Sequence, residues 1–291
     1  MAVDIECVWA ADAVLGEGPV WVDAESALYW VDIKAPALNR YVPETGMTDT
    51  WPMPERIGCI AKRRDEPGFV AGCKTGFKFV NPEAGTFEAI GDPEPDLPDN
   101  RFNDGVCDAA GRFWAGSMDD SERQPTGKLY RLDPNLSWQA MDDGYVVTNG
   151  PAFSVDGRTC YHADTFKRVI YAFDVTDDGL ANKRVHIEFP DGAGYPDGLT
   201  IDAENHLWAG HWDGWRLTRF APDGRVDRVI EMPVGRVTKC AFGGPDLDAL
   251  YVTSATIGLD YEALSKEQPL AGSLFRVYAG VRGLPTPTFA G

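Results

Sequence analysis

Four polar residues far apart in the chain share one position relative to an aromatic residue that follows each of them. Glu17 stands 13 residues before Trp30, Asn103 11 before Trp114, Asn149 12 before Tyr161 and Asp197 11 before Trp208. The same slot holds Ile57, 13 before Val70, and Lys239, 12 before Tyr251. The frames around the polar members agree: Gly16-Glu-Gly-Pro19, Thr148-Asn-Gly-Pro151 and Tyr195-Pro-Asp-Gly198. Glycine and proline beside each polar residue suit a tight turn that fixes the direction of the side chain. Carboxylates and carboxamides are hard oxygen donors. A cluster with only two carboxylates suits calcium, magnesium, manganese or ferrous iron, and zinc also accepts such ligands. Three protein ligands leave coordination positions for water and substrate, the catalytic rather than the structural arrangement. Asp-Gly and Asn-Gly are common turn dipeptides, but turn chemistry does not demand that they fall in one phase of a repeat.

The elements that must position these residues recur with the slot. A turn followed by an apolar, mostly aromatic strand appears six times, clearest at Asp108-Ala-Ala-Gly-Arg-Phe-Trp114 and degenerate at Arg64-Asp-Glu-Pro-Gly-Phe-Val-Ala71. Equivalent positions 30, 70, 114, 161, 208 and 251 are spaced by 40, 44, 47, 47 and 43 residues. A period of this length with several short strands per unit predicts a β-propeller. Between the anchors, Gly127–Leu132, Trp138–Met141, Val169–Phe173 and Val185–Phe189 are short runs bounded by turn residues, which gives four strands per unit. The last unit nearly exhausts the chain, with Leu250–Thr253 and Ser273–Val277, while Ile5–Trp9 has no unit of its own. The N-terminal strand is therefore expected to close the last blade and remove its unpaired edge. The expectation is an all-β, six-bladed propeller with four antiparallel strands per blade, one domain over residues 1–291. Tyr261–Lys266 is expected to form one helical turn.

Composition narrows the partners. The chain has 291 residues and a net charge of −18, which disfavours nucleic acid and anionic membrane surfaces. The start lacks a signal-peptide pattern, and no stretch approaches the roughly 20 apolar residues of a spanning helix. The six cysteines form no Cys-x-x-Cys pair and are read as reduced, mostly buried thiols, consistent with a cytoplasmic protein. Histidines 162, 186, 206 and 211 show no metal-binding spacing, and His162 and His206 read as structural. Gly-x-Ser-x-Gly and phosphate-loop patterns are absent. Scattered aromatics such as Trp51 and Trp138 define no interface, so a monomer or weak homo-oligomer is expected.

At the slot residues the chain resembles the family of senescence-marker protein (regucalcin), gluconolactonase and luciferin-regenerating enzyme. The matching motifs are Leu15-Gly-Glu-Gly-Pro-Val-Trp21, Arg101-Phe-Asn-Asp-Gly105, Gly116-Ser-Met118, Thr148-Asn-Gly150, Tyr195-Pro-Asp-Gly198 and Phe242-Gly-Gly-Pro-Asp246. The resemblance implies one divalent metal held by Glu17, Asn149 and Asp197, substrate oxygens bound by Arg101 and Asn103, and hydrolysis of a sugar lactone. The spacing around Glu17, Asn149 and Asp197 is most similar to bacterial xylonolactonases, which implies an aldopentonolactone. One stretch departs: where relatives carry Ala-Glu-Glu after Gly-Ser-Met, this chain has Asp119-Asp-Ser-Glu122. Asp119 or Asp120 is the candidate for that substrate contact.

A lactone is an activated ester and requires no serine or cysteine nucleophile. A metal acts as Lewis acid and lowers the pKa of bound water, and a carboxylate removes the proton. Asp197 is the candidate base, with Glu17 competing, while Arg101 stabilises developing charge or hydroxyls and Asn103 orients the ring. The alternatives are a calcium-binding regulatory propeller and a phosphotriester hydrolase on the same fold; the latter would usually add more acids and a histidine base.

Overall fold

The computed structural model describes residues 4–291 and arranges 24 strands as six four-stranded antiparallel sheets. Each sheet is one blade with one edge strand at the axis. The inner strands are Gly16–Val22, Ile57–Lys62, Asn100–Cys107, Thr148–Phe153, Tyr195–Ile201 and Val237–Gly243. The six aromatic or apolar anchors all fall on the second strands, and Trp30, Trp114, Trp208 and Tyr251 are among the largest fully buried side chains. Blades pack face to face through these residues, for example Trp21 stacked on Tyr251 with centroids 6.0 Å apart. The closing strand is where the sequence places it: Ile5–Trp9 pairs antiparallel with Leu274–Val277 in the sixth sheet.

The turn before each anchor has a physical cause in two blades. Asp108 accepts hydrogen bonds from the Ala110 and Arg112 amides and, at 2.8 Å, from Trp114 Nε1. Asp202 repeats this with Glu204, His206 and, at 2.9 Å, Trp208 Nε1. One carboxylate thus closes the turn and satisfies the indole N–H of the buried anchor, a group that would otherwise be costly to bury. Arg219, whose Nε lies 2.7 Å from Asp202, balances the charge.

Outer strands depart most from expectation. The fourth-blade outer strand runs Leu180–Glu188, and the third-blade one Trp138–Tyr145, both longer than their apolar runs. Apart from the wholly buried Tyr145, their added residues are partly or fully exposed and carry no hydrophobic period, so backbone pairing rather than patterning extends them. The helical turn at Tyr261–Lys266 is present as a short π-helix over Ala263–Glu267. All six cysteines are free. Among the described residues no helix is long and apolar enough to cross a membrane.

Candidate active site

Every inner strand breaks register at the slot. The pairing slips between Glu17 and Val20, Ile57 and Cys59, Phe102 and Gly105, Asn149 and Ala152, Pro196 and Leu199, and Val237 and Cys240. Such bulges bend a strand and re-aim its side chains. Gly18 and Gly150 supply the positive φ, 55° and 83°, that two of these bulges need. Repeated around the ring, the device turns the slot residues toward the axis.

Glu17, Asn149 and Asp197 are all buried on these inner strands, 2%, 2% and 5% exposed. The Glu17 and Asp197 carboxyls lie within hydrogen-bonding reach of each other. Burial, then the nearby Asp104 charge, pushes the Glu17 pKa up to about 8. Burial and the Glu17 charge hold Asp197 well above the carboxylate range as well. The carboxamide of Asn149 is oriented at both ends: its Nδ2 donates to Thr165 Oγ1 at 2.9 Å, and its Oδ1 accepts from Asn103 Nδ2 at 3.1 Å. The Thr165 hydroxyl in turn donates a hydrogen bond to the Pro196 carbonyl at 2.9 Å, tying the Asn149 and Asp197 segments together.

Beneath them lies an ion pair that the sequence reading did not assign. Lys239 Nζ sits 2.5 Å from Asp104 Oδ1, and both side chains are buried. Asp104 also accepts from the Gly150 amide at 2.8 Å, next to Asn149. Lys239 packs against the Cα face of Gly198, next to Asp197. Strand alternation would send Asp104 away from the axis if Asn103 faces it; the bulge between Phe102 and Gly105 brings both inward.

Arg101 and Asn103 lie on the mouth side. Arg101 Nη1 donates to Asn103 Oδ1 at 2.7 Å, and Asn103 Nδ2 donates to the Thr148 carbonyl at 2.8 Å. The two acids after Met118 differ in role. Asp119 is held well down, to about 2, by Ser121 and the amides of residues 121, 123 and 124, so its carboxylate closes its own turn. Asp120 pairs with Lys34 Nζ at 2.7 Å, with Arg101 Nε at 2.5 Å and with Arg56. The loop over this region is pinned by Glu94, which accepts from Ser117, Tyr130 and Asn100. The histidines stand apart. Burial lowers His162 to about 3 and His211 to about 4, and His211 Nδ1 meets the Ala193 carbonyl at 2.7 Å.

The donor set fits a divalent cation. Two fully buried carboxyls face each other with one ammonium nearby, and that ammonium is already bound to Asp104. A divalent ion would let both ionise, and Asn149 Oδ1 supplies a neutral oxygen ligand beside them. Among the described residues no group of three or more His, Cys, Asp or Glu could hold a metal, which is consistent with a set completed by a carboxamide. A cavity of about 400 Å³ lies elsewhere along the inner strands, lined in part by Leu284, Pro285, Thr286 and Pro287. It is lined by Lys239 but by none of Glu17, Asn149 and Asp197, and its wall is chiefly apolar, so the donor chemistry belongs to the other side of the Lys239–Asp104 pair.

Fold and site together define a six-bladed propeller with a buried oxygen-donor cluster on its axis. The chain belongs to the SMP-30/gluconolactonase/LRE-like family, whose conserved region it matches over residues 15–256. It is 37% identical over 289 residues to a 6-deoxy-6-sulfogluconolactonase from Pseudomonas putida, covering 99% of each chain. An L-arabinolactonase from Azospirillum brasilense is 36% identical over 95% of this chain and 92% of its own. Among solved structures, a calcium-binding regucalcin from Agrobacterium tumefaciens superposes with a TM-score of 0.95 at 26% identity, covering 100% of this chain and 99% of that one.

Proposed function

We propose that this protein hydrolyses a sugar lactone to the open-chain sugar acid with one divalent metal held by Glu17, Asn149 and Asp197. The observation that carries the reading is the pair of fully buried carboxyls, both driven to hold protons, beside a carboxamide fixed by Thr165 and Asn103. A propeller used only as a scaffold has no need of such a costly arrangement. The names of two relatives, a sulfogluconolactonase and an arabinolactonase, support the lactone as substrate class.

When bound, the metal supplies Lewis acidity and lowers the pKa of water. The protein does the rest. Asp197 accepts the proton of the attacking water, and Glu17 shares the charge. Arg101, buried and held by Asp120 and Asn103, presents its guanidinium to substrate oxygens where water is excluded, which strengthens each hydrogen bond. Asn103 orients the ring through the amide that also fixes Asn149. Asp120 positions Arg101, and Asp119 shapes the turn that presents Asp120.

The test is hydrolysis of D-xylono- and L-arabinono-lactone by metal-stripped protein, then with Fe2+, Zn2+, Mn2+, Mg2+ or Ca2+ restored singly. Metal-dependent turnover well above the spontaneous rate is expected. Tight calcium binding with no turnover by any ion would favour the regulatory propeller, and turnover of a phosphotriester alone the other hydrolase.

A further inference from the structure

Three cations meet one carboxylate at the rim of the mouth. Lys34 follows the second strand of the first blade, Arg56 precedes the inner strand of the second, and Arg101 lies in the inner strand of the third. All three pair with Asp120. This surplus occurs in a chain with 45 acidic and 27 basic residues, where chance would favour the opposite sign. Other acids close by keep their charge but are bonded elsewhere: Glu55, next to Arg56 in sequence, holds Thr75 and lies 3.5 Å from Lys78. The Asp32 carboxylate caps the amides of Val14, Leu15, Lys34 and Ala35. Asp119 closes its own turn, and Glu122, though it acts on Arg101 through its charge, is exposed.

The cluster also has a direction. Lys34 is 15% and Arg56 36% exposed at the side chain, whereas Arg101 is 2% exposed. From Lys34 a chain of hydrogen bonds runs inward through Asp120, Arg101 and Asn103 to Asn149, with links of 2.7, 2.5, 2.7 and 3.1 Å. A ligand whose reacting carbonyl sits at Asn149 and which follows this line places its far end against the accessible ammonium and guanidinium. A tetrahedral oxyanion, accepting from an arginine fork and an ammonium, is the partner that the outward ends of Lys34 and Arg56 suit.

We propose that Lys34 and Arg56 form a subsite for an anionic group, so that the lactone hydrolysed here carries a phosphate or sulfonate remote from its ring. The inference rests on the lactonase reading and adds the charge class of the substrate. It is tested with the metal-loaded full chain on D-gluconolactone, its 6-phospho form and its 6-deoxy-6-sulfo form. Wild type is expected to favour at least one charged form in kcat/KM by about tenfold at low salt, and rising ionic strength should erode the preference. Which of the two anions gains more tells phosphate from sulfonate. Lys34→Met with Arg56→Met should collapse the preference chiefly through KM, and Lys34→Arg should retain it. Turnover of neutral lactone as fast as of both charged forms overturns the inference and leaves the lactonase reading standing. A preference that survives salt and the double variant also overturns it. Turnover of no lactone sinks both. The salt series on wild type decides the matter should a variant misfold.

Discussion

At the scale of single residues, the pairing of Glu17 with Asp197 sets both chemistry and pH dependence. Replacing Asp197 with Asn keeps the shape and removes the base. Under saturating metal, kcat should fall by roughly 10²- to 10⁴-fold, and a variant with near-normal kcat would remove Asp197 from that role. The pair also predicts how metal and pH act on stability. In metal-stripped protein the Glu17 pKa rises from 4.5 to about 8. Between these values the folded state keeps a proton that the unfolded chain has lost, so stability declines as pH rises from about 4.5 to about 8. Each pKa unit corresponds to about 1.4 kcal/mol. Metal displaces that proton, so the rise in Tm on adding metal should be larger near pH 8 than near pH 5; thermal melts with and without metal across this range would show it, and an equal rise at both ends would refute it. Much of this site was legible, because Glu17, Asn149 and Asp197 occupy one phase of a repeat. Asp104, Thr165 and the pairing of Lys239 were not. Asp104 stands one residue out of phase, Thr165 lies in the turn after a second strand, and Lys239 offers no oxygen to a search for oxygen ligands. Lys34 and Arg56 lie in connections that carry no period.

At the scale of elements, the inner strands are set by close backbone approach as much as by their bulges. The second blade contributes Ile57 and no donor to the axis, yet its next residue constrains the site. A Cβ on Gly58 would stand 2.3 Å from the Phe102 carbonyl oxygen and 2.6 Å from that of Asn103. Those are backbone atoms at the start of the bulge, where Phe102 is still paired with Ser117 and the Asn103 side chain is bonded to Thr148 and Asn149, so they cannot yield cheaply. Gly58→Ala should therefore cost about 1–3 kcal/mol and lower kcat by displacing Asn103, read from a denaturant midpoint and from turnover with metal present. Gly46→Ala is the comparison. Its φ of +70° costs about 1 kcal/mol of backbone strain, but nothing lies within 4 Å and activity should not change. Equal loss of turnover in both would show that the close approach is not what matters. The anchors and turns of these elements were readable from the repeat, since a buried indole and an Asp-initiated turn leave a fixed spacing. The bulges were not, because a register slip is a property of two paired strands and leaves only Gly and Pro as traces in one.

At the scale of the whole molecule, the ring is held at two places where distant parts of the chain meet. The C-terminal tail ties blades across the channel end: Ala203 donates to the Arg282 carbonyl at 2.9 Å, Gly283 to Leu247 at 2.8 Å, and Phe289, wholly buried, to Lys62 at 2.8 Å. The closing strand ties the first residues to the last blade, with Ile5 opposite Val277, Glu6 opposite and ion-paired to Arg276, and Cys7 opposite Phe275. Trp9 then packs edge-on to Trp30, centroids 5.2 Å apart at 74°, and so joins the last blade to the first. Removing residues 1–9 would leave Leu274–Val277 as an open strand edge, which templates pairing with other chains, and would uncover the Trp30 face. At roughly 2–4 °C per kcal/mol for a protein of this order of size, loss of the strand pairing and the Trp9 contact should lower Tm by about 10 °C. The truncated protein should also aggregate in proportion to its concentration, and a synthetic peptide of residues 1–9 added in trans should restore part of the Tm. An unchanged Tm and a clean monomer would mean that packing between blades, without the closing strand, suffices to hold the ring shut.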